Sequence, residues 1–207
     1  MSATTLPRNE IRPDYFATPL WCVRAILPTI RKRLSARDRA HGSVPKPGRW
    51  ALLDAGCGDG NILGELVSAF PESLCEGVDS DPDLLARARL RNLPVTECDF
   101  HSIKAGPWHA IVMNPPFSDA LRFVSHAIDL VQPQGGFVVA LLRLPWLAGA
   151  GRLAFHREHG SDIYVLPRRP DFTGGGGDRT EYCWFVFRGE PGFGGRWTLL
   201  EIEGGAS

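Results

Sequence analysis

The apolar run Ala110-Ile111-Val112-Met113 is followed at once by Asn114-Pro115-Pro116-Phe117. The run has the length and composition of a buried strand. Two consecutive prolines remove two backbone donors and end any ladder. They leave a stiff, protruding loop with free carbonyls, one amide side chain and one aromatic face. Such a loop can hold a flat, amine-bearing group. A Pro-rich turn after a strand would look the same in isolation, so its neighbours along the chain have to discriminate.

Three further polar residues stand where strands are expected to end: Asp54, Asp79 and Asp99. Any one of them could be a turn or cap residue. Four in series, with Asn114, describe a row along one sheet edge. Asp54-Ala-Gly56-Cys-Gly58-Asp-Gly60 joins an expected strand to an expected helix. Its glycines permit a tight turn and close backbone approach to a ligand. The Gly-x-Gly-x-Gly spacing fails the dinucleotide fingerprint, and a carboxylate just before Gly56 would repel a diphosphate. Asp54 would instead attract an ammonium group, while the helix N-terminus suits a carboxylate. Asp79 is placed to accept from ribose hydroxyls, and Asp99 from an adenine amino group. An amino acid, a ribose and an adenine make up S-adenosylmethionine (SAM).

Hydrophobic periodicity supplies the elements that must carry these residues. Strands are expected at 50–54, 75–79, 95–99, 110–113, 137–142, 163–166 and 182–187, with a possible edge strand at 197–202. Helices are expected at 61–70, 82–91, 119–131 and 147–159, the third capped by Asp119. Thr18 and Pro19 start an N-terminal helix through Arg33, and Ser35 to Gly48 reads as a polar connection. Alternating strands and helices predict a parallel sheet covered on both faces. In such sheets ligands sit beyond the C-terminal strand ends.

The segments Leu53-Asp-Ala-Gly-Cys-Gly-Asp-Gly60, Gly77-Val-Asp79, Cys98-Asp-Phe100 and Asn114-Pro-Pro-Phe117 occur in an order and spacing that resembles the class I SAM-dependent methyltransferases. The resemblance covers roughly residues 50–145. It implies an α/β Rossmann-like fold with a mostly parallel seven-stranded sheet, helices on both faces and an antiparallel last strand. It also implies SAM contacts from Asp54, Gly56, Gly58, Asp79, Asp99, Phe100 and Asn114. Tyr15-Phe16-Ala-Thr18-Pro19 looks like the cofactor-closing segment of amino-methyltransferases that act on adenine in DNA. By that likeness Tyr15, Phe16, Thr18 and Pro19 close over the methionine end. The same resemblance makes Asn114, Pro115, Pro116 and Phe117 the catalytic loop. Asn114 and the Pro115 carbonyl would accept from the amine, and Phe117 would stack on the base. The whole chain, 1–207, is expected to be one domain, with 1–49 the closing helix and a basic connection, and 50–207 the sheet core.

Substrate remains open at this stage. Adenine N6 in DNA is favoured, but bases of rRNA or tRNA and protein glutamine are also planar amines. A SAM-binding module without catalysis is a further alternative. The tail between the last two long strands carries Arg168, Arg169, Phe172 and Arg179 around four consecutive glycines. Cations with an aromatic face suit a nucleic-acid strand, and the pattern looks like small methyltransferases of phages and prophages. Net charge is zero, yet 31–49 holds seven basic residues and one acid, whereas 51–100 holds ten acids and three arginines. A polyanion would meet one face only. No room is left for a separate target-recognition domain, so a dimer mate or partner could supply one. Five cysteines without a Cys-x-x-Cys pair fit reduced cytoplasmic thiols and no metal site, and nothing suggests a membrane span.

Overall fold

A computed structural model describes residues 16–40, 50–172, 180–188 and 195–201. Tyr15, Arg179 and the basic stretch 41–49 lie outside the described residues. The strands are β1 (Ala51–Ala55), β2 (Leu74–Asp79), β3 (Val95–Glu97), β4 (Ala110–Met113), β5 (Phe137–Arg143), β6 (Ser161–Val165), β7 (Tyr182–Arg188) and β8 (Trp197–Leu199). They form one sheet in the order β3-β2-β1-β4-β5-β7-β6-β8. The helices are α1 (Leu20–Ala40), α2 (Asn61–Ala69), α3 (Pro82–Leu90), α4 (Ala120–Val131) and α5 (Ala150–Glu158).

The central strands are apolar throughout because both their faces are covered. Ala110 and Val112 of β4 face one core with Val23, Ile26 and Ile30 of α1 and Leu63 and Leu66 of α2. Ile111 and Met113 face the other with Val124, Ile128 and Val131 of α4. Trp184 of β7 is fully buried, and its indole donates to the Cys22 carbonyl at 2.9 Å. Successive strands reverse their order between β1 and β4, so the crevice at the C-terminal strand ends opens there.

Three expectations need correction. Among the described residues the sheet has eight strands, not seven, and the antiparallel one is β7, at the place of the expected last strand 182–187. β7 runs against both β5 and β6, while β8 pairs parallel with β6. β8 falls within the possible edge strand expected at 197–202, and all three of its residues are exposed. The N-terminal helix does not stop at Arg33 but continues to Ala40. Leu34 is buried there, and Asp38 accepts from the Trp50 indole at 2.9 Å, which ties the last turn to the start of β1. The expected helix at 147–159 is split: a 3₁₀ turn at Leu144–Leu147 precedes Gly149, whose φ of 126° interrupts the path before α5.

Candidate active site

The turn from β1 to α2 folds back over β2, because the amides of Gly56 and Cys57 both donate to the Val78 carbonyl at 2.9 Å. Gly56, Gly58 and Gly60 all have positive φ. At Gly60 the φ of 87° favours glycine, and an added Cβ would also displace the end of the half-buried Leu93 side chain, 2.4 Å away at Cδ1. Gly60 cannot cap α2 with a side chain, and Asp54 does so from the strand. Its Oδ2 accepts from Leu63 N at 2.9 Å, its Oδ1 has no protein partner, and the residue is fully buried. Burial holds the Asp54 carboxyl well above the usual carboxylate range; the Leu63 amide opposes this, and nearby Asp79 and Asp59 add to it.

Asp79 closes β2 and faces the crevice. Its oxygens accept from Gly58 N at 2.8 Å and from Asp81 N at 2.9 Å. Burial raises its carboxyl, against the opposing effect of the Gly58 and Ser80 amides. Asp81 caps α3, its Oδ1 accepting from Asp83 N at 3.0 Å and Leu84 N at 3.2 Å.

A cavity of about 350 Å³ opens between these loops. It is lined by Phe16, Ala17 and Thr18 from the N-terminal segment; by Gly56, Cys57, Gly58, Asp59, Asn61 and Ile62; by Asp79, Ser80, Asp81 and Leu84; and by Asn114 and Pro116. That size is within the range of small-molecule sites. One wall offers loop glycines and the start of α2, another a carboxylate, and Ile62 and Leu84 are apolar. The donor set fits a zwitterionic amino-acid end, a hydroxylated sugar and a flat apolar ring, as SAM has.

Four residues expected to touch the cofactor are absent from this lining. Asp54 gives one of its two oxygens to the start of α2. Asp99 sits two residues past β3 and caps a 3₁₀ turn, accepting from His101 N at 2.9 Å. Phe100 is buried against Phe123 of α4, their centroids 5.2 Å apart. Pro19 is likewise absent from the lining, though its carbonyl accepts from Cys22 N at 2.9 Å to start α1. Asp119 does not cap α4 with its side chain; its Oδ2 meets His101 Nε2 at 3.2 Å instead.

The Asn-Pro-Pro-Phe loop is fixed from the far end of the chain. Asn114 Nδ2 donates to the Phe16 carbonyl at 3.1 Å and to the Thr18 hydroxyl at 3.0 Å. The Phe16 carbonyl can only accept, which makes the amide end beside it the nitrogen. The other end, Oδ1, is buried and without a protein partner. Thr18 has a second tie, since Asn61 Nδ2 donates to its carbonyl at 3.1 Å. Arg91 in turn holds Asn61 Oδ1 at 3.0 Å, and α1 is pinned to α2 by the Arg24–Glu65 pair at 2.8 Å.

Phe117 joins a ring of four aromatics. Its centroid is 5.1 Å from Phe16 and 6.0 Å from Tyr182, and Phe172 is 5.8 Å from Phe16 and 5.0 Å from Tyr182. The expected substrate arginines are turned elsewhere: Arg168 lies over Trp21 at 4.6 Å and Arg169 pairs with Glu181 through Nε at 3.1 Å. The cation on Phe117 is Arg143, its guanidinium carbon 4.3 Å from the ring centroid. Sequence reading passed over Arg143 because it ends an apolar strand with no motif around it. Asn61 was missed too, its place at the start of α2 reading as an ordinary helix start.

No family model matches the chain. Over 93 residues it is 33% identical to trans-aconitate 2-methyltransferase of Mycobacterium ulcerans, covering 42% of this chain and 34% of that protein. It is 29% identical over 93 residues to modification methylase CviBIII of Paramecium bursaria Chlorella virus NC1A, covering 43% of this chain and 24% of that protein. The chain thus spans a third of the length of the first relative and a quarter of the second. A Listeria monocytogenes structure assigned as a class I SAM-dependent methyltransferase superposes with TM-score 0.65 at 14% identity, over 93% of this chain and 68% of that one. The fold is that of the class I SAM-dependent methyltransferases.

Proposed function

We propose that the chain is a SAM-dependent methyltransferase acting on an exocyclic amine, with N6 of adenine in DNA as the substrate. The observation that carries this is the Asn114 amide: its nitrogen is committed to Phe16 and Thr18, and its buried oxygen has no protein partner. An exocyclic amine is a poor nucleophile because its lone pair is delocalised into the ring. Acceptors on its two hydrogens draw the nitrogen toward tetrahedral geometry and free that pair. Asn114 Oδ1 and the Pro115 carbonyl serve as the acceptors, and Phe117 holds the face of the ring. Bound SAM supplies an electrophilic methyl group. Asp79 and the Gly56–Gly60 turn hold the cofactor, with Phe16, Ala17 and Thr18 over it. Positioning and fixed dipoles then carry the catalysis.

A carboxylate substrate, as the name of the mycobacterial relative indicates for that protein, suits this loop poorly. A carboxylate has no hydrogen to give, and the Asn114 oxygen would repel it. Cytosine C5 methylation needs a thiolate. Burial pushes the Cys22 thiol up to about 12 and those of Cys75 and Cys183 up to about 11, and raises Cys57 and Cys98 as well. Bases of rRNA or tRNA and protein glutamine would use the same acceptors. The test is transfer of labelled methyl from SAM to duplex DNA, single-stranded DNA, RNA and protein in parallel, with mass spectrometry of the product. N6-methyladenine from DNA is expected. An alkali-labile methyl ester or 5-methylcytosine would refute the mechanism, and methyl on RNA or glutamine would change the substrate only.

A further inference from the structure

We infer that the outer face of α1 binds the phosphate backbone of duplex DNA flanking the target base, through Lys32 and Arg39. The inference rests on the nucleic-acid part of the reading above and adds a second contact remote from the reacting base. α1 packs Val23, Ile26, Ile30 and Leu34 on the core and leaves its other side to solvent. A cavity of about 920 Å³ runs against that side, and Arg24, Arg31, Lys32, Ser35 and Arg39 line it together with one acid, Glu201. Arg24 is committed to Glu65, and Arg31 to the Ala69 carbonyl and the Phe70 ring. Lys32 and Arg39 are exposed and make no hydrogen bond, ion pair or ring contact with a described residue.

Lys32 and Arg39 are two helical turns apart, so they share one stripe of α1, about 10 Å from each other along its axis, with Ser35 between them. A duplex carries one charge about every 1.7 Å along its axis, so several phosphates fall within that reach. With a net charge of zero and an acidic stretch at 51–100, the chain has no broad positive field, and a polyanion is drawn to the places where cations gather. Thr18, just before α1, lines the cofactor cavity, and Asp38 near its end is tied to Trp50 at the start of β1. The helix therefore leads from the strand ends that form the site to the opposite edge of the sheet. From Thr18 to Arg39 the path is about 30 Å, close to one turn of duplex. A nucleotide seated at Asn114 does not reach that far, whereas a duplex does. An acidic protein would meet the same charges, but the amine site at the head of the same helix favours a nucleic acid.

The test measures binding of a fluorescent duplex reaching two turns either side of a central A·T pair, by anisotropy over a range of salt, with S-adenosylhomocysteine present. Wild type is compared with the double variant Lys32→Gln, Arg39→Gln and with Arg89→Gln, which removes an exposed cation from α3. The double variant should bind about tenfold more weakly, and its log K against log salt should lose about 1.8 in slope, two phosphate contacts. Arg89→Gln should keep the wild-type slope. Ser35→Lys, which adds a cation to the stripe, should bind more tightly and gain about 0.9 in slope. A hairpin trimmed to half a turn around the target should bind wild type and the double variant alike. The S-adenosylhomocysteine affinity of all variants should match wild type. The inference is overturned by failure of wild type to bind the duplex, by an unchanged slope in the double variant, by an equal loss in Arg89→Gln or on the short hairpin, or by weakened cofactor affinity. Polyglutamate that competes as well as unlabelled duplex of equal charge would also overturn it and assign the face to an acidic protein. Binding is read without methyl transfer, so failure of the amine reading, seen in the product and in turnover by Asn114 variants, stays distinct.

Discussion

Replacing Asn114 separates the two jobs its amide performs. In Asn114→Ala the Oδ1 acceptor is lost, and an oriented dipole acting on charge that develops in the transition state is worth about a hundred- to thousand-fold in kcat. The Nδ2 donor is lost as well, so the Phe16 carbonyl and Thr18 hydroxyl lose bonds of 3.1 and 3.0 Å. Losing these costs about 1–2 kcal/mol. Because Phe16, Ala17 and Thr18 line the cofactor cavity, that cost falls on SAM affinity, as a five- to thirtyfold weakening. Asn114→Asp keeps one acceptor and places a second oxygen against the Phe16 carbonyl. It should lose SAM affinity similarly but turn over at least tenfold faster than Asn114→Ala. The assay is single turnover at saturating SAM, with S-adenosylhomocysteine affinity measured by calorimetry. The reasoning fails if Asn114→Ala, once saturated, turns over within tenfold of wild type.

Four other outcomes are expected. Asp79→Asn should weaken SAM binding by roughly 1–2 kcal/mol by calorimetry; wild-type affinity should also fall with pH as the raised Asp79 carboxyl takes up its proton, and a flat pH profile would contradict the role. Gly60→Ala should destabilise by about 1–2 kcal/mol in urea through its φ of 87°, and unchanged or increased stability would refute the backbone reading. Asp162 pairs with Arg33 and accepts from Arg196 N at 3.1 Å; burial raises its carboxyl, but those partners and Arg188 outweigh it and leave it lowered. Its stabilisation is therefore present above the unfolded carboxyl value and is lost as pH falls through the lower folded one. Asp162→Asn should cost roughly 3 kcal/mol at neutral pH and progressively less in acid, whereas a pH-independent difference in denaturation midpoints would exclude the pair as the cause. Phe117→Trp should keep part of the activity and Phe117→Ala far less, measured as substrate KM; equal losses would deny stacking.

The chain wrote the centre of its sheet plainly, since β4 and all of β5 up to Arg143 are apolar on both faces and buried. Asn114 and Asp79 were equally legible, because each ends a strand with its side chain toward the crevice. Asp54 and Asp99 look identical in the sequence, yet neither lines the cavity: one oxygen of each accepts from a nearby amide, of Leu63 and of His101. A strand-end position says where a carboxylate starts, not which unsatisfied N–H it reaches first. Residues 35–40 appeared to be a connection because charge dominates them, although Leu34 and Asp38 are buried and Arg37 Nε donates to the Gln134 carbonyl at 2.8 Å. Arg143 carried no signal, because its meaning lies in two aromatics that are distant in sequence.

Thr18 offers one residue to two partners, its carbonyl to Asn61 and its hydroxyl to Asn114. On the proposed reading, the wall that closes on the cofactor is also the strut that aims the acceptor at the substrate. Occupancy of one site therefore changes the free energy of the other, by the same amount in both directions. A competitive inhibitor of one ligand would alter the affinity for its counterpart, and kinetics with independent binding of the two is the pattern this geometry forbids. Thr18→Val, which removes the hydroxyl and retains the carbonyl, is the substitution that would uncouple them.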